Sequence, residues 1–220
     1  MRIHRWIVTL ALAAAVMPAA RAAERDPTRD ARARATTGLK DPRTDVVKKA
    51  MTPGENHKRL DYFLGDWTTQ GMTWLANGEA VKSAGTCHFE WTMGGRYLRS
   101  SYAGIFMDQP LEGMGVDGYD NVSGDYFYLW IDNMGTGYLA ASGSVTHDGK
   151  TFTYTSTSQD ALSRKPVHYR IVRYVQEPDA FVLQMYMTSP GGRESKVMQI
   201  RHARVAPPPQ SALPSPPQSQ

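Results

Sequence analysis

The fold is decided by the stretch YFYLWIDNMGTGYLAASGSVTHDGKTFTYTSTS, residues 126–158. Its aromatic and β-branched runs are short, and turn residues separate them at positions 133–135 and at Asp148-Gly149. No break in the stretch is long enough for a crossover helix, so consecutive strands should pair antiparallel. The stretch therefore predicts an antiparallel meander and not a parallel α/β sheet.

The same alternation of short strand-like runs and turn residues continues through residues 57–204. One short helical turn comes first, with Leu60 and Phe63 on one face and Gly65 as its end. Ten β-rich runs follow, at about 67–75, 80–91, 97–106, 113–119, 126–132, 138–146, 151–158, 167–176, 180–188 and 195–204. Closure removes unpaired edges, so the prediction is an all-β fold: an antiparallel up-and-down barrel of about ten strands with a short N-terminal helix. A barrel of this width is expected to enclose a cavity.

The segments outside the barrel have distinct compositions. In residues 1–23, Arg2 and Arg5 precede an apolar run over 6–16 and a small-residue end, which is the layout of a secretory signal peptide. That run is about half the ~20 residues of a membrane-spanning helix, so a periplasmic or secreted protein without a membrane span is expected. Residues 24–56 are predicted to form a charged flexible linker, and 205–220 a disordered proline-rich tail.

Charge and cysteine content exclude several classes of protein. The formal net charge is +4, but residues 57–204 carry 14 basic and 15 acidic side chains. The predicted barrel is therefore nearly neutral, and its charge does not favour a nucleic-acid partner. Cys87 is the only cysteine, which excludes an intrachain disulfide and a cysteine-based metal cluster. We expect Cys87 to be a small core residue and not a catalytic thiol or an interchain bridge.

Two features of the sequence allow both a structural and a functional interpretation. The run Gly113-Met114-Gly115-Val116-Asp117-Gly118 satisfies G-x-G-x-x-G, but a turn and a strand follow it where a dinucleotide site needs a helix. Strand glycines that bend or approach closely are the favoured interpretation. Asp117, Asp120 and Asp125 could hold calcium, but turn aspartates bonded to their own backbone are favoured.

Candidate cavity residues come from the faces of the predicted strands. In residues 126–132, Tyr128, Trp130 and Asp132 share one face, and either face could point inward. Arg99 or Arg170 in the cavity would suit a carboxylate, whereas the favoured alternative puts both arginines on the outer surface. The candidate ligand-binding residues are Trp67, Arg99, Tyr128, Trp130, Asp132, His168, Arg170 and Tyr186.

Several pieces of the barrel region together resemble a bacterial family of unknown function, DUF1579. They are LGDW (64–67), GGRYL (94–98), EGMGVDGYDN (112–121), WIDNMGTG (130–137), MY (185–186) and ESKVMQI (194–200). The resemblance implies a calycin-like barrel, similar in outline to fatty-acid-binding and nitrobindin-type proteins, and implies no activity. Near the end of the last strand, where the family pattern usually has an aromatic residue, this chain has His202.

The leading hypothesis is a non-enzymatic carrier that holds one small apolar or amphipathic molecule in the barrel. The first alternative is an isomerase or hydrolase that uses Asp132, His168 or Arg99 in the same cavity. The second is an envelope protein that binds a partner through its proline-rich tail. No metal site and no cofactor are predicted. Haem bound through His202 is a remote possibility, because His202 is expected to point outward.

Overall fold

The computed structural model describes residues 42–160, 163–189 and 191–206. Two helices, α1 (Pro42–Met51) and α2 (Glu55–Lys58), and a 3₁₀ turn (Arg59–Phe63) precede the sheet. The strands are β1 (Gly65–Trp74), β2 (Ala80–Thr92), β3 (Tyr97–Phe106), β4 (Gln109–Tyr119), β5 (Tyr126–Asp132), β6 (Leu139–Val145), β7 (Thr151–Gln159), β8 (Pro166–Glu177), β9 (Ala180–Thr188) and β10 (Glu194–Arg204). The predicted strand number and order are confirmed.

The ten strands form one closed antiparallel barrel in which each strand pairs with the next along the chain. Strands β1 and β10 close it, with Trp67 opposite Arg204 and Thr73 opposite Met198. The predicted all-β up-and-down barrel is therefore confirmed, and its closure leaves no unpaired sheet edge. In the part of the chain that the structure describes, no helix is both long and apolar enough to cross a membrane.

The hairpin turns lie where the turn residues predict them, but their geometry differs. Gly78 and Gly149 have positive φ angles of 84° and 73°, whereas Asn77 and Asp148 do not, so neither pair forms the two-residue hairpin with two left-handed residues that it predicts. Between β3 and β4 the left-handed residues are Met107 and Asp108, so the turn lies just before the predicted break at Gln109-Pro110. As a result β4 begins at Gln109, four positions before the predicted start at 113.

Large aromatic side chains fill one end of the barrel. Phe63, Trp67, Phe152 and Phe181 are fully buried, and the ring of Phe63 lies 4.9 Å from that of Phe181. Trp67 donates its indole Nε1–H to the carbonyl oxygen of Phe63 at 2.7 Å, which attaches the 3₁₀ turn to β1. Each buried ring contributes about 1.5–3 kcal/mol. These residues form an aromatic floor, which leaves the cavity to the upper part of the barrel.

Helix α1 departs from the linker predicted for residues 24–56. Barrel side chains satisfy the carbonyl groups at its C-terminal end: Asn121 Nδ2 donates to the carbonyls of Lys49, Ala50 and Thr52, and Arg96 donates to that of Met51. These tertiary contacts favour a helix that composition alone did not predict. The predicted signal peptide, the first part of the linker and residues 207–220 of the predicted tail lie outside the described residues.

Candidate functional site

Above the aromatic floor the barrel encloses a cavity of about 500 Å³, a size that suits a small organic molecule. All ten strands contribute to its wall, β6 with only its first residue, Leu139, and the loop from β5 to β6 adds several residues at the mouth. Most of the lining is apolar or aromatic. The central wall is formed by Phe89, Tyr102, Leu111, Tyr128, Trp130, Phe181, Leu183, Met185, Met198 and Ile200.

The aromatic and polar face of β5 points into the cavity. Tyr128, Trp130 and Asp132 all line it, which decides between the two faces that the sequence left open. Trp130 donates its Nε1–H to Oδ2 of Asp132 at 2.7 Å, and Oδ1 of Asp132 accepts the backbone N–H of Met134 at 3.0 Å. The carboxylate of Asp132 thus fixes the orientation of an indole ring in the wall.

The G-x-G-x-x-G motif lies in β4 and makes room for cavity side chains. A Cβ atom on Gly113 would lie 2.3 Å from Cζ2 of Trp130, and one on Gly115 would lie 2.3 Å from the hydroxyl oxygen of Ser100. Strand β5 follows the motif after a turn. The expectation of strand glycines in close approach is confirmed, and the described residues that follow the motif form no helix whose N-terminus could meet a pyrophosphate.

A buried ion pair lies between the aromatic floor and the cavity. Nη1 of Arg173 donates to Oδ1 of Asp117 at 2.9 Å, and both side chains are 3% exposed or less. The guanidinium also lies over the rings of Phe63 (4.9 Å) and Tyr128 (5.3 Å). Burial raises the pKa of Asp117 and the arginine opposes that shift. Because arginine stays protonated in proteins, its carboxylate partner compensates a buried positive charge.

Asp117 is therefore not the ordinary turn aspartate that we expected. Asp120 does behave as one, since its Oδ1 accepts the backbone N–H of Val122 at 2.7 Å. In the described part of the chain no group of three or more histidine, cysteine and acidic side chains could hold a metal ion.

His202 also lines the cavity, so the expectation that it points outward is wrong. A β-bulge between Lys196 and Met198 resets the alternation of β10, and Met198, Ile200 and His202 then share the inner face. The imidazole stacks on Phe181 with a centroid distance of 4.0 Å. Burial, aided by Arg173, lowers the pKa of His202 to about 3, so the ring is neutral at physiological pH. Its Nδ1 is buried and has no hydrogen-bond partner among the residues that the structure describes.

Four of the predicted site residues lie on the outer wall. On β8 the residues Tyr169 and Arg173 point inward, so His168 and Arg170 point outward. Arg170 is paired with Glu194 at 2.6 Å and lies 4.0 Å above the ring of Tyr186, and His168 contacts Thr157. Arg99 is paired with Glu90 on the outer face of β3 and β2. The favoured alternative, in which both arginines lie outside, describes the structure.

The structure thus brings together three of the eight candidates in the cavity, Tyr128, Trp130 and Asp132, while Trp67 belongs to the floor. Sequence reasoning missed Arg173 as a cavity residue. A signal for it exists in β8, where Tyr169, Ile171, Arg173 and Val175 form the more apolar face: a lone charge on such a face indicates a buried, paired group.

The cavity offers binding groups more than reactive ones. Burial raises the pKa of the Cys87 thiol to about 12, so the thiolate that a nucleophile requires does not form near neutral pH. The residues named for an enzyme are separated by the barrel wall, because Asp132 lines the cavity while His168 and Arg99 lie outside. The arrangement of these three residues does not form an acid–base pair.

Comparison with known proteins gives a family and a fold. The family model described as "Protein of unknown function (DUF1579)" matches residues 52–204. No protein of curated function matches the chain. Among solved structures, an S-type phycobiliprotein lyase, CPES from Guillardia theta, is similar at 11% identity and TM-score 0.50, over 70% of this chain and 94% of its own. Rv2717c from M. tuberculosis is similar at 13% identity and TM-score 0.50, over 70% of this chain and 100% of its own. At such identities the likeness concerns the fold alone.

Proposed function

We propose a function from the cavity itself, since the chain belongs to the DUF1579 family, whose description assigns no function. In this proposal the barrel is a non-enzymatic binding protein that holds one small, largely apolar molecule. The observation that carries this proposal is the cavity of about 500 Å³ above the aromatic floor. Space of this size, lined mainly by apolar side chains with a few polar groups, is the usual form of a small-molecule site.

The wall favours a ligand with a flat or flexible apolar body. Tyr102 and Trp130 present ring faces and edges, and their centroids lie 6.2 Å apart. Met185 and Met198 line the opposite side, where their flexible thioether side chains can adapt to different shapes. The polar groups of the cavity are few, so they orient the ligand while burial of its apolar body supplies most of the affinity.

The same proposal places the protein in the periplasm or outside the cell, on the basis of the leader-like residues 1–23. Haem held by His202 belongs to the outcomes of the test below, because this imidazole lines the cavity. A mass shift of one haem with a Soret band lost in His202→Phe would identify that ligand.

The first test compares native with denaturing mass spectra of the mature protein purified from exporting cells. A reproducible excess mass that is lost on denaturation supports the proposal and gives the class of the ligand. The second test titrates the same protein, stripped of any ligand, with a neutral dimethylaminonaphthalene ketone, whose fluorescence shifts to the blue in an apolar site. If no mass is retained and the probe does not bind, the proposal is overturned.

Two adjacent positions on β9 provide matched variants for the titration. Met185 lines the cavity, whereas Tyr186 lies on the outer wall. Met185→Trp places a larger ring in the cavity and is expected to weaken probe binding by roughly tenfold or more, through overpacking. Tyr186→Trp adds a similar ring outside and should leave the affinity unchanged. Equal effects of the two variants would mean that the probe binds elsewhere.

A further inference from the structure

The formal charges of the cavity have an unusual distribution. Among the described residues that line the cavity, only Arg173 and Asp132 carry a formal charge, and His202 is neutral at physiological pH. The positive charge of Arg173 is already compensated by Asp117. Asp132 lies at the other end of the wall, bonded to Trp130, and has no ion pair with the described residues. The described residues therefore supply the cavity with no uncompensated positive charge for an anionic ligand.

The lower end of the cavity nevertheless retains unused hydrogen-bonding capacity. Arg173 lines the cavity, and the described residues give its guanidinium one hydrogen bond, from Nη1, so the donors of Nη2 have no partner among them. His202 lines the cavity as well, with a neutral imidazole. Such an imidazole carries one donor and one acceptor nitrogen, assigned according to its tautomer. A polar group of the ligand that bonds to these groups gains affinity, because a buried donor without a partner is unfavourable.

From this arrangement we propose that the site selects an uncharged ligand whose buried end is a carbonyl or carboxamide group, and that it discriminates against the carboxylate of the same shape. This inference rests on the proposed function and specifies its ligand class. The carbonyl oxygen accepts from the guanidinium donors that Asp117 does not use, and the amide group offers both a donor and an acceptor to His202. The apolar body of the ligand then lies against the ring of Trp130 and the thioether of Met185.

A carboxylate would meet the same donors at a higher cost. It would bring a second negative charge beside Asp117, whose own charge already balances that of Arg173. Burying an ion without a counter-ion is strongly unfavourable in an apolar surrounding. The carboxylate of Asp132 at the mouth adds a like charge on the way in. Because the Arg173–Asp117 pair has no net charge, the buried arginine can donate hydrogen bonds to a ligand without attracting an anion.

The test compares two probes of nearly identical shape on the wild-type protein, a dimethylaminonaphthalene carboxamide and the corresponding carboxylate. We expect the carboxylate to bind roughly tenfold or more weakly than the carboxamide at neutral pH. Equal or tighter binding of the carboxylate would overturn the inference and leave the binding function intact. Failure of both probes, together with the absence of a retained ligand mass, would overturn the proposed function and with it this inference.

Two variants, one at an aspartate and one at a glutamate, test whether the Arg173–Asp117 ion pair causes the discrimination against the carboxylate probe. Asp117→Asn keeps the shape of the side chain but leaves Arg173 uncompensated, so the ratio of affinities should move by roughly tenfold or more toward the carboxylate. Glu90→Gln breaks an exposed arginine–glutamate pair on the outer wall and should leave the ratio unchanged. A folded Asp117→Asn protein with the wild-type ratio would contradict the role of Asp117. If that variant does not fold, the wild-type comparison still decides the inference.

Discussion

Nη1 of Arg173 lies 2.9 Å from Oδ1 of Asp117, so an ion pair crosses the barrel interior between β8 and β4, two strands that are not neighbours in the sheet. The hydroxyl of Tyr154 on β7 lies 3.5 Å from the same carboxylate oxygen. The pair therefore ties opposite walls together directly above the aromatic floor. Its partners depend on each other, because either charge alone would be buried without compensation.

Removing one member of the pair should cost more than removing both. Arg173→Met leaves Asp117 without its counter-ion, and we expect the free energy of unfolding to fall by about 3–5 kcal/mol. The double variant Arg173→Met, Asp117→Asn carries no buried charge and should lose much less than the sum of the two single variants. Urea unfolding of the four proteins measures this coupling. Simple additivity would contradict the interdependence of the pair.

The outer-wall arginines should be dispensable for ligand binding. Arg170 and Arg99 are paired with Glu194 and Glu90 where about a third to a half of each side chain is exposed, so each pair contributes less than about 1 kcal/mol. We expect Arg170→Gln and Arg99→Gln to bind the neutral ketone probe with wild-type affinity and to unfold at nearly the wild-type urea concentration. A tenfold loss of affinity in either variant would return these residues to the binding site.

The sequence predicts what depends on neighbouring residues and fails where contacts are distant. Turn pairs such as Asp148-Gly149 and strand-length apolar runs are local features, and they were sufficient for the number and order of the strands. Which face of a strand points inward depends on the partner strands and on bulges, so the sequence alone predicts an outward His202, whereas the structure has this residue inside the barrel. The pairing of Arg173 with Asp117 joins residues 56 positions apart, and neither has a local pattern that indicates the other.

Helix α1 provides a test of such a distant contact. The side-chain amide of Asn121 donates to three carbonyl oxygens at the end of the helix, at 2.8–3.2 Å. Asn121→Ala removes all three bonds, and a loss of about 1–2 kcal/mol in local stability is expected. Hydrogen exchange should become roughly tenfold faster in residues 43–52. Asn133→Ala, which removes contacts to Glu112 and Pro110 at the other end of the barrel, should leave exchange in α1 unchanged.

Cys87 should be inert in the folded protein. The side chain is buried in the cavity wall, and desolvation is the main reason that the pKa of its thiol is raised to about 12. We expect an aromatic disulfide reagent to modify it at a rate at least about a thousandfold below that of the unfolded chain. A control is Thr86→Cys in a Cys87→Ser background, because residue 86 is exposed on the outer face and its thiol should react at once. Rapid native labelling of Cys87 would mean that the cavity wall opens.

His202 should make the barrel sensitive to mild acid. Its pKa is about 3 in the folded protein against an ordinary value of 6.5, so the unfolded chain binds the proton more tightly. The free energy of unfolding is therefore unaffected by this group above pH 6.5 and falls as the pH drops from 6.5 toward 3. Between pH 6.5 and 5 the loss amounts to about 2 kcal/mol.

His202→Phe keeps a ring against Phe181 and has no proton to bind, so its urea midpoint should decline less over this range. His57, whose pKa is also lowered by burial, remains in both proteins, and the difference between the two curves isolates residue 202. Parallel curves for wild type and variant would show that the imidazole becomes charged without leaving the folded barrel.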